Sequence, residues 1–331
     1  MRHLVNRAWS AAKCSLVVLA IFGFGCPAAE AVEGGTGAYL LSSRDLLAGF
    51  VPPPGTYILN DFIYINGSAP VLSIGGAIVT EPDIDAMVYK FSGTQVFEGE
   101  FLGGRFGMNV NIPLAKADLK ADTLFQNSPI RVSDDQFGMG DITITPMIGW
   151  DSGNLHASAS VSFFIPTGQY STAVVKPLQG VYDVLSIGKN KFAVDPALSM
   201  TYLDPTTGFE FSGSLGITVN AENTATDYLT APELHLELTA AQHLPTGFVF
   251  GVTGYGYQQL GNDSGKGAEN FQKAVGAKSL QARVFGAGPV VQYNSKIGSV
   301  PVSVEGKFIQ EFGTRRRLES QMFWMTLGAS F

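Results

Sequence analysis

Two short pairs in this 331-residue chain have types and spacing suited to acid–base or nucleophilic chemistry. His156 and Ser158 lie two residues apart, and a serine nucleophile needs an imidazole within hydrogen-bond reach. His235 and Glu237 lie two apart as well, with Glu233 on the same parity, but nothing near them supplies a nucleophile. No G-x-S-x-G turn occurs, and no run of Cys and His has metal-ligand spacing, so neither a cofactor nor a metal is expected. A hydrolase is kept as an alternative only. The remaining ionisable residues of interest are scattered: Asp141, Asp195, Glu210, Glu305 and Glu311 against Lys307 and Arg283. What these residues share is the kind of segment that carries them.

Each lies in a stretch of about ten residues that alternates with period two, the mark of a strand with unlike faces. In LHASASVSFFI (155–165), Leu155, Ala157, Ala159, Val161, Phe163 and Ile165 oppose His156, Ser158, Ser160, Ser162 and Phe164. In ELHLELTA (233–240), Leu234, Leu236 and Leu238 oppose Glu233, His235 and Glu237. FEFSGSLGITVN (209–220) and GDITITPMIGW (140–150) divide in the same way. Tight connections such as WDSGN (150–154) and HLPTG (243–247) take turns with long polar ones, 166–190, 221–231, 261–279 and 313–320.

Only 15% of residues are charged, against roughly 25% in soluble domains. The longest apolar run, CSLVVLAIFGFG (14–25), is too short to span a membrane as a helix. Preceded by Arg2, Arg7 and Lys13 and followed by Ala29-Glu30-Ala31, it reads as a secretory signal peptide over 1–31, cleaved after Ala31. Both Cys14 and Cys26 leave with it, the other reading being a lipidated Cys26. Cleavage moves the formal charge from −7 to −9 by removing three basic residues and Glu30, which argues against nucleic acid as a partner.

Short and long connections in alternation build an up-and-down transmembrane β-barrel of the outer membrane. Counting strands near 55–66, 84–97, 104–117, 139–150, 155–166, 191–203, 208–220, 232–243, 248–260, 280–294, 300–312 and 321–331 gives an all-β antiparallel barrel of about 12. An even number puts both termini in the periplasm. The final strand, MFWMTLGASF, must pair with the first, because an open edge in lipid costs several kcal/mol per group. Leu, Ile, Val and Phe then face lipid, while Ser, Thr, Glu and His face the lumen. Trp150, Tyr202, Phe248 and Phe331 fall where an interfacial aromatic girdle belongs. The other reading of the alternation is a soluble sandwich or lipocalin-like barrel, with the apolar sides inward.

Residues 32–54 precede the wall of 55–331, since Pro52, Pro53 and Pro54 cannot donate to a ladder. The stretch RDLLAGFVPPPGTYILNDFIYING (44–67) resembles the start of the outer-membrane family associated with the meta-pathway of phenol degradation. The likeness runs on through GGRFGMNVNIPL (103–114), GMGDITITPMIGW (138–150), NLHASASVSFFIPTGQY (154–170), AVDPALSMTYLDPTTGFEFS (193–212), ENTATDYLTAPELHLE (222–237) and KFIQEFGTRRRLESQMFWMTLGASF (307–331). The resemblance implies a channel for passive uptake of aromatic or other small hydrophobic compounds; the alternative is a general polar porin of weak cation selectivity.

In this register Asp141, His156, Asp195, Glu210, Glu233, His235, Glu237, Arg283, Glu305 and Lys307 line the lumen, either tuning selectivity or tying neighbouring strands together, as Glu305, Lys307 and Arg283 suggest. Met147, Phe164, Phe285, Met322 and Trp324 are the inward apolar residues, for a greasy path or for packing. Leu40, Leu41, Leu46, Leu47 and Phe50 belong either to a plug folded into the lumen or to a periplasmic tail. Arg315, Arg316 and Arg317 fall in an outside loop, as contacts for lipopolysaccharide phosphates or as a solvated turn. Phe331, a terminal aromatic, resembles the signal read by the outer-membrane assembly machinery.

Overall fold

The computed structural model describes residues 33–125, 128–179 and 181–331; the signal peptide expected over 1–31 lies outside them. The strands are β1 (Gly55–Ser68), β2 (Val71–Ile74), β3 (Ala77–Phe101), β4 (Gly104–Phe125), β5 (Ser128–Met139), β6 (Ile142–Ser152), β7 (Leu155–Ile165), β8 (Val174–Lys176), β9 (Val181–Asp183), β10 (Ala193–Leu203), β11 (Phe209–Asn220), β12 (Glu233–His243), β13 (Phe248–Gln259), β14 (Arg283–Ile297), β15 (Val300–Arg315) and β16 (Glu319–Ser330). Twelve of them, β1, β3, β4, β6, β7 and β10 to β16, pair antiparallel in a closed ring. Closure joins β1 to β16 in a register running from Tyr57 opposite Ser330 to Ser68 opposite Glu319. It extends to the last residue, where Thr56 and Phe331 exchange backbone hydrogen bonds of 2.9 and 2.8 Å. Every wall strand therefore has two neighbours, as a lipid-facing sheet requires.

Polarity is inverted as the alternation predicts. On β12, Glu233, His235 and Glu237 are each 1% exposed, while Leu238 points outward. Leu198, Leu215, Phe250, Val252, Phe323 and Met325 are exposed on the outer face. A soluble sandwich is thereby ruled out, since its leucines would be the buried set. Because the outer band must sit in acyl chains, a guanidinium at its centre is expected to cost about 2–4 kcal/mol. Leu215→Arg on mid-β11 should sharply reduce the fraction that folds into vesicles, read by heat-modifiable gel migration.

Five tight turns lie at the end of the barrel that holds both termini of the wall, and each carries a glycine at positive φ: Gly103, Gly153, Gly208, Gly247 and Gly298. Tight reversals demand that backbone region, which a Cβ disfavours.

The opposite, long-loop end holds structure that alternation alone did not reveal. β3 and β4 run past the wall, where β2 and β5 add to them. The outward pairs change along the way, from Phe91 opposite Ile112 and Tyr89 opposite Leu114 to Met87 opposite Lys116 and Asp83 opposite Lys120. Apolar gives way to charged within one pair, which marks the edge of the lipid band. The other face of this extension packs Leu72, Val79, Leu119 and Val132 on Val184 and Leu185 of the 166–192 loop. Asp134 fixes that loop by accepting the Val184 and Leu185 N–H groups, 2.8 Å each. A second cap contains the helix α1 (Lys266–Ala274), whose Phe271 packs with Tyr228 and Leu280. There Asp263 accepts from Tyr228 Oη and the Ala231 N–H, and burial pushes its carboxyl up to about 7 against those two bonds.

Candidate functional site

Residues 33–51 run inside the barrel, and lumen side chains satisfy their backbone. Glu237 accepts the N–H groups of Ser42 (2.9 Å) and Arg44 (2.7 Å). Glu210 accepts the Leu47 N–H at 2.6 Å, and Thr201 Oγ1 accepts that of Gly49 at 2.9 Å. Lys307 donates to the Ser42 carbonyl (2.7 Å) and pairs with Asp45. Arg105 donates through Nε to the Val51 carbonyl at 2.8 Å. At Gly49 a Cβ would stand 2.6 Å from the Met200 backbone, so only glycine lets the segment lie this close to β10. An irregular chain inside a barrel needs such partners for its polar backbone groups, and Glu210 of β11 and Glu237 of β12 supply three of them.

The five expected plug residues fall in three settings. Leu41 is buried with Ile63, Tyr255, Ile309, Met322 and Trp324. Leu40, Leu46 and Phe50 border a cleft, and Phe50 also meets the His156 ring edge-on at 5.0 Å. Leu47 sits at a positive φ of 55° with its N–H on Glu210.

That cleft, of about 640 Å³, is the space left between the segment and β1, β3, β4, β6 and β7, with β15 and β16 completing its border. Its apolar lining includes Met147, Phe164 and Trp324; its polar lining includes Asn109, Thr145 and Ser158. Asp61 and Lys90, opposite each other on β1 and β3, pair at 2.9 Å on its wall, and Lys307 lies 4.2 Å over the Trp324 ring and 3.8 Å from Glu305. At the long-loop end Asp141 accepts the N–H groups of Gly168 (2.9 Å) and Lys189 (2.8 Å). Burial, and then neighbouring Lys191, push the Lys189 ammonium down to about 8 against the pull of Asp141.

Away from the cleft the inward charges are tied to each other. Asp195 accepts from Thr218 (2.6 Å) and lies 2.8 Å from His235 Nε2, whose ring stacks on Tyr39 at 4.0 Å. Glu210 holds His243 at 2.6 Å, and Glu233 accepts from Asn220 and Tyr257. His156 pairs with Asp151 rather than with Ser158. Each of these histidines thus faces a carboxylate and not a hydroxyl nucleophile, so the His156/Ser158 spacing assembles no dyad.

Several expected positions need correction. Phe285 and Arg283 do not face the lumen: Val284 and Gly286, between and beside them, take the inward register opposite Tyr257 and Tyr255. Phe285 stacks on outward Phe312 at 6.1 Å, and Arg283 lies 5.5 Å over Phe285, opposite Arg315. The cause is parity, since β14 is read one residue out of step when its apolar run, Val284 and Phe285, offers no polar marker. Glu305 and Lys307 approach as expected, but without Arg283. Met322 packs behind Leu41 instead of bordering the cleft. The arginine run does not form an outward cluster. Arg317 is 5% exposed, turned inward 4.6 Å over Tyr257, and Arg316 donates to the Gln281 carbonyl. The three guanidinium groups therefore do not stand together on the outer surface.

Asp61, Lys90, Arg44 and Lys189 were missed. Asp61 had a legible signal as the acid on the Ile63 parity of β1; Arg44 and Lys189 lie outside strands, where no period marks direction.

Among solved structures, an outer membrane channel from Pseudomonas putida F1 aligns with TM-score 0.64 and 13% identity, over 87% of this chain and 99% of its own. The β domain of the Bordetella autotransporter BrkA aligns at 0.45 and 11%, over 84% and 99%, and a Pseudomonas aeruginosa FadL homologue at 0.43 and 8%, over 94% and 99%. At 13% identity the first likeness is one of fold. The sequence matches no curated protein. The family model described as "Putative MetA-pathway of phenol degradation" matches residues 67–327. With that match across most of the closed, polarity-inverted wall, the chain belongs to the MetA-pathway of phenol degradation family, and its fold is a β-barrel of the outer-membrane type.

Proposed function

We propose that the protein is a passive channel for small aromatic or otherwise hydrophobic compounds, not an enzyme, with the segment 33–51 as a plug that narrows the route to the cleft. The observation that carries this reading is the cleft itself: about 640 Å³, with Leu40, Leu46, Phe50, Met147, Phe164 and Trp324 on its border inside an otherwise polar lumen. Ligand pockets are commonly of this size and largely apolar with a few placed polar groups. In this reading the short-turn end and both termini are periplasmic, the capped end faces lipopolysaccharide and the outside, and Phe331 serves assembly.

Uptake of a panel of aromatic and aliphatic compounds by cells with and without the protein tests it. Faster entry of the aromatic members is expected, and identical entry of every compound would dispose of the proposal. A weakly selective polar pore is the second reading, favoured by Asn109, Asn111 and Thr145 along the opposite wall. It requires steady ion current with no preference among organic solutes.

A further inference from the structure

The charges bordering the cleft are not equally satisfied. Lys90 has Asp61, Lys307 has Asp45 and Glu305, and the two Asp141 oxygens accept backbone N–H groups. Arg44 differs. Its guanidinium donates to Ser199 Oγ at 3.3 Å and to Ser160 Oγ at 2.9 Å, and among the described residues no carboxylate lies within ion-pair distance of it. Ser199 in turn donates to Ser214 at 2.8 Å, which leaves its lone pairs for Arg44. Lys189 donates to the Thr36 carbonyl (3.0 Å) and hydroxyl (2.8 Å), and among the described residues its Nζ forms no ion pair, although Asp141 acts on it from farther away.

A partly buried cation held only by neutral hydroxyls is incompletely compensated. A guanidinium has five N–H donors in a fork that matches a carboxylate, and the hydroxyls engage only part of it. Leu40, Leu46 and Phe50 stand on the same segment and border the same cleft. We infer that the cleft binds hydrophobic monocarboxylates, aromatic ones above all, with Arg44 contacting the carboxylate and the apolar border holding the ring. This inference rests on the uptake reading and names its substrate class. Lys189, farther toward the capped end, adds attraction along the way.

Benzoate and its neutral counterpart benzyl alcohol separate the contributions. Calorimetric binding to the full chain in detergent is expected to favour benzoate. Arg44→Gln should weaken benzoate about tenfold, the loss of one charged contact, and leave benzyl alcohol unchanged; Arg44→Lys should recover part of the difference. Equal affinity for the two compounds, or equal loss of both in Arg44→Gln without recovery in Arg44→Lys, would overturn the carboxylate assignment. Benzyl alcohol binding alone would overturn it while leaving uptake of neutral aromatics standing. Binding of neither overturns it too, and the cell uptake panel then decides separately whether the channel reading survives.

Discussion

Deleting residues 34–50 is expected to raise single-channel conductance in planar bilayers several-fold and to make it ohmic. The segment fills the side of the lumen bounded by β10 to β12 and β15, where Glu237, Glu210, Thr201 and Lys307 hold its backbone. Without it that side joins the cleft, and a barrel of twelve strands is wide enough to hold water once its interior is not occupied by chain. Loss of the barrel itself is not expected. The deletion leaves all twelve ladders intact, including the closure of β1 on β16. The lumen carboxylates released by the deletion would be hydrated, which avoids the penalty of an unpaired buried charge. Heat-modifiable migration should therefore persist, which separates an opened pore from a misfolded one. Unchanged conductance with intact migration would mean that the segment does not obstruct the path.

The wall was legible in the sequence because its physics is local. A strand with lipid on one side and a polar lumen on the other must alternate, so Glu233, His235 and Glu237 announced both their strand and its direction. Closure followed as well, since a terminal strand in lipid has no stable alternative to pairing. Legibility failed where that local constraint is absent. The β3 and β4 extension lies beyond the lipid edge, where Lys116 and Asp118 stand on the outer face and Leu119 faces a soluble-type core, so alternation persists but its meaning reverses. On β14 two apolar residues in succession left the register undetermined. Arg317 entered the barrel because Tyr255, Tyr257 and Glu311 make an inward site for its guanidinium, which no spacing within a loop encodes. Alternation marks the side of the wall on which these carboxylates stand, but it does not carry their purpose. Glu237 and Glu210 are acceptors for a segment 195 and 163 positions away in the chain, at Ser42 and Leu47, whereas Asp195 and Glu233 bond side chains of neighbouring strands.

That dependence makes Glu237 the position where a single substitution should act most strongly on the segment. Its two oxygens take two backbone N–H groups, Ser42 and Arg44, both within 2.9 Å, and the carboxylate is 1% exposed. Hydrogen bonds to a charged group contribute about 1.5–3 kcal/mol each. Glu237→Ala removes both and strands two donors, a loss of about 3 kcal/mol or more for docking. Such a loss multiplies the undocked population about a hundredfold. The wall should not suffer, because the β12 backbone keeps its partners at Ser214 and Tyr255. Trypsin provides the readout, since Arg44 is a cleavage point inside the lumen. Wild-type protein in detergent should resist cutting there, and Glu237→Ala should be cut faster by about the same hundredfold where opening and closing outpace cleavage. Glu237→Gln should fall between, because its amide offers one carbonyl oxygen for two donors and turns an N–H₂ toward the second. Glu222→Ala, on an exposed loop, serves as the control. Cleavage at the wild-type rate in Glu237→Ala would transfer the anchor to Lys307 with Asp45 and to Glu210 with Leu47, and Lys307→Met would then have to release the segment in its place.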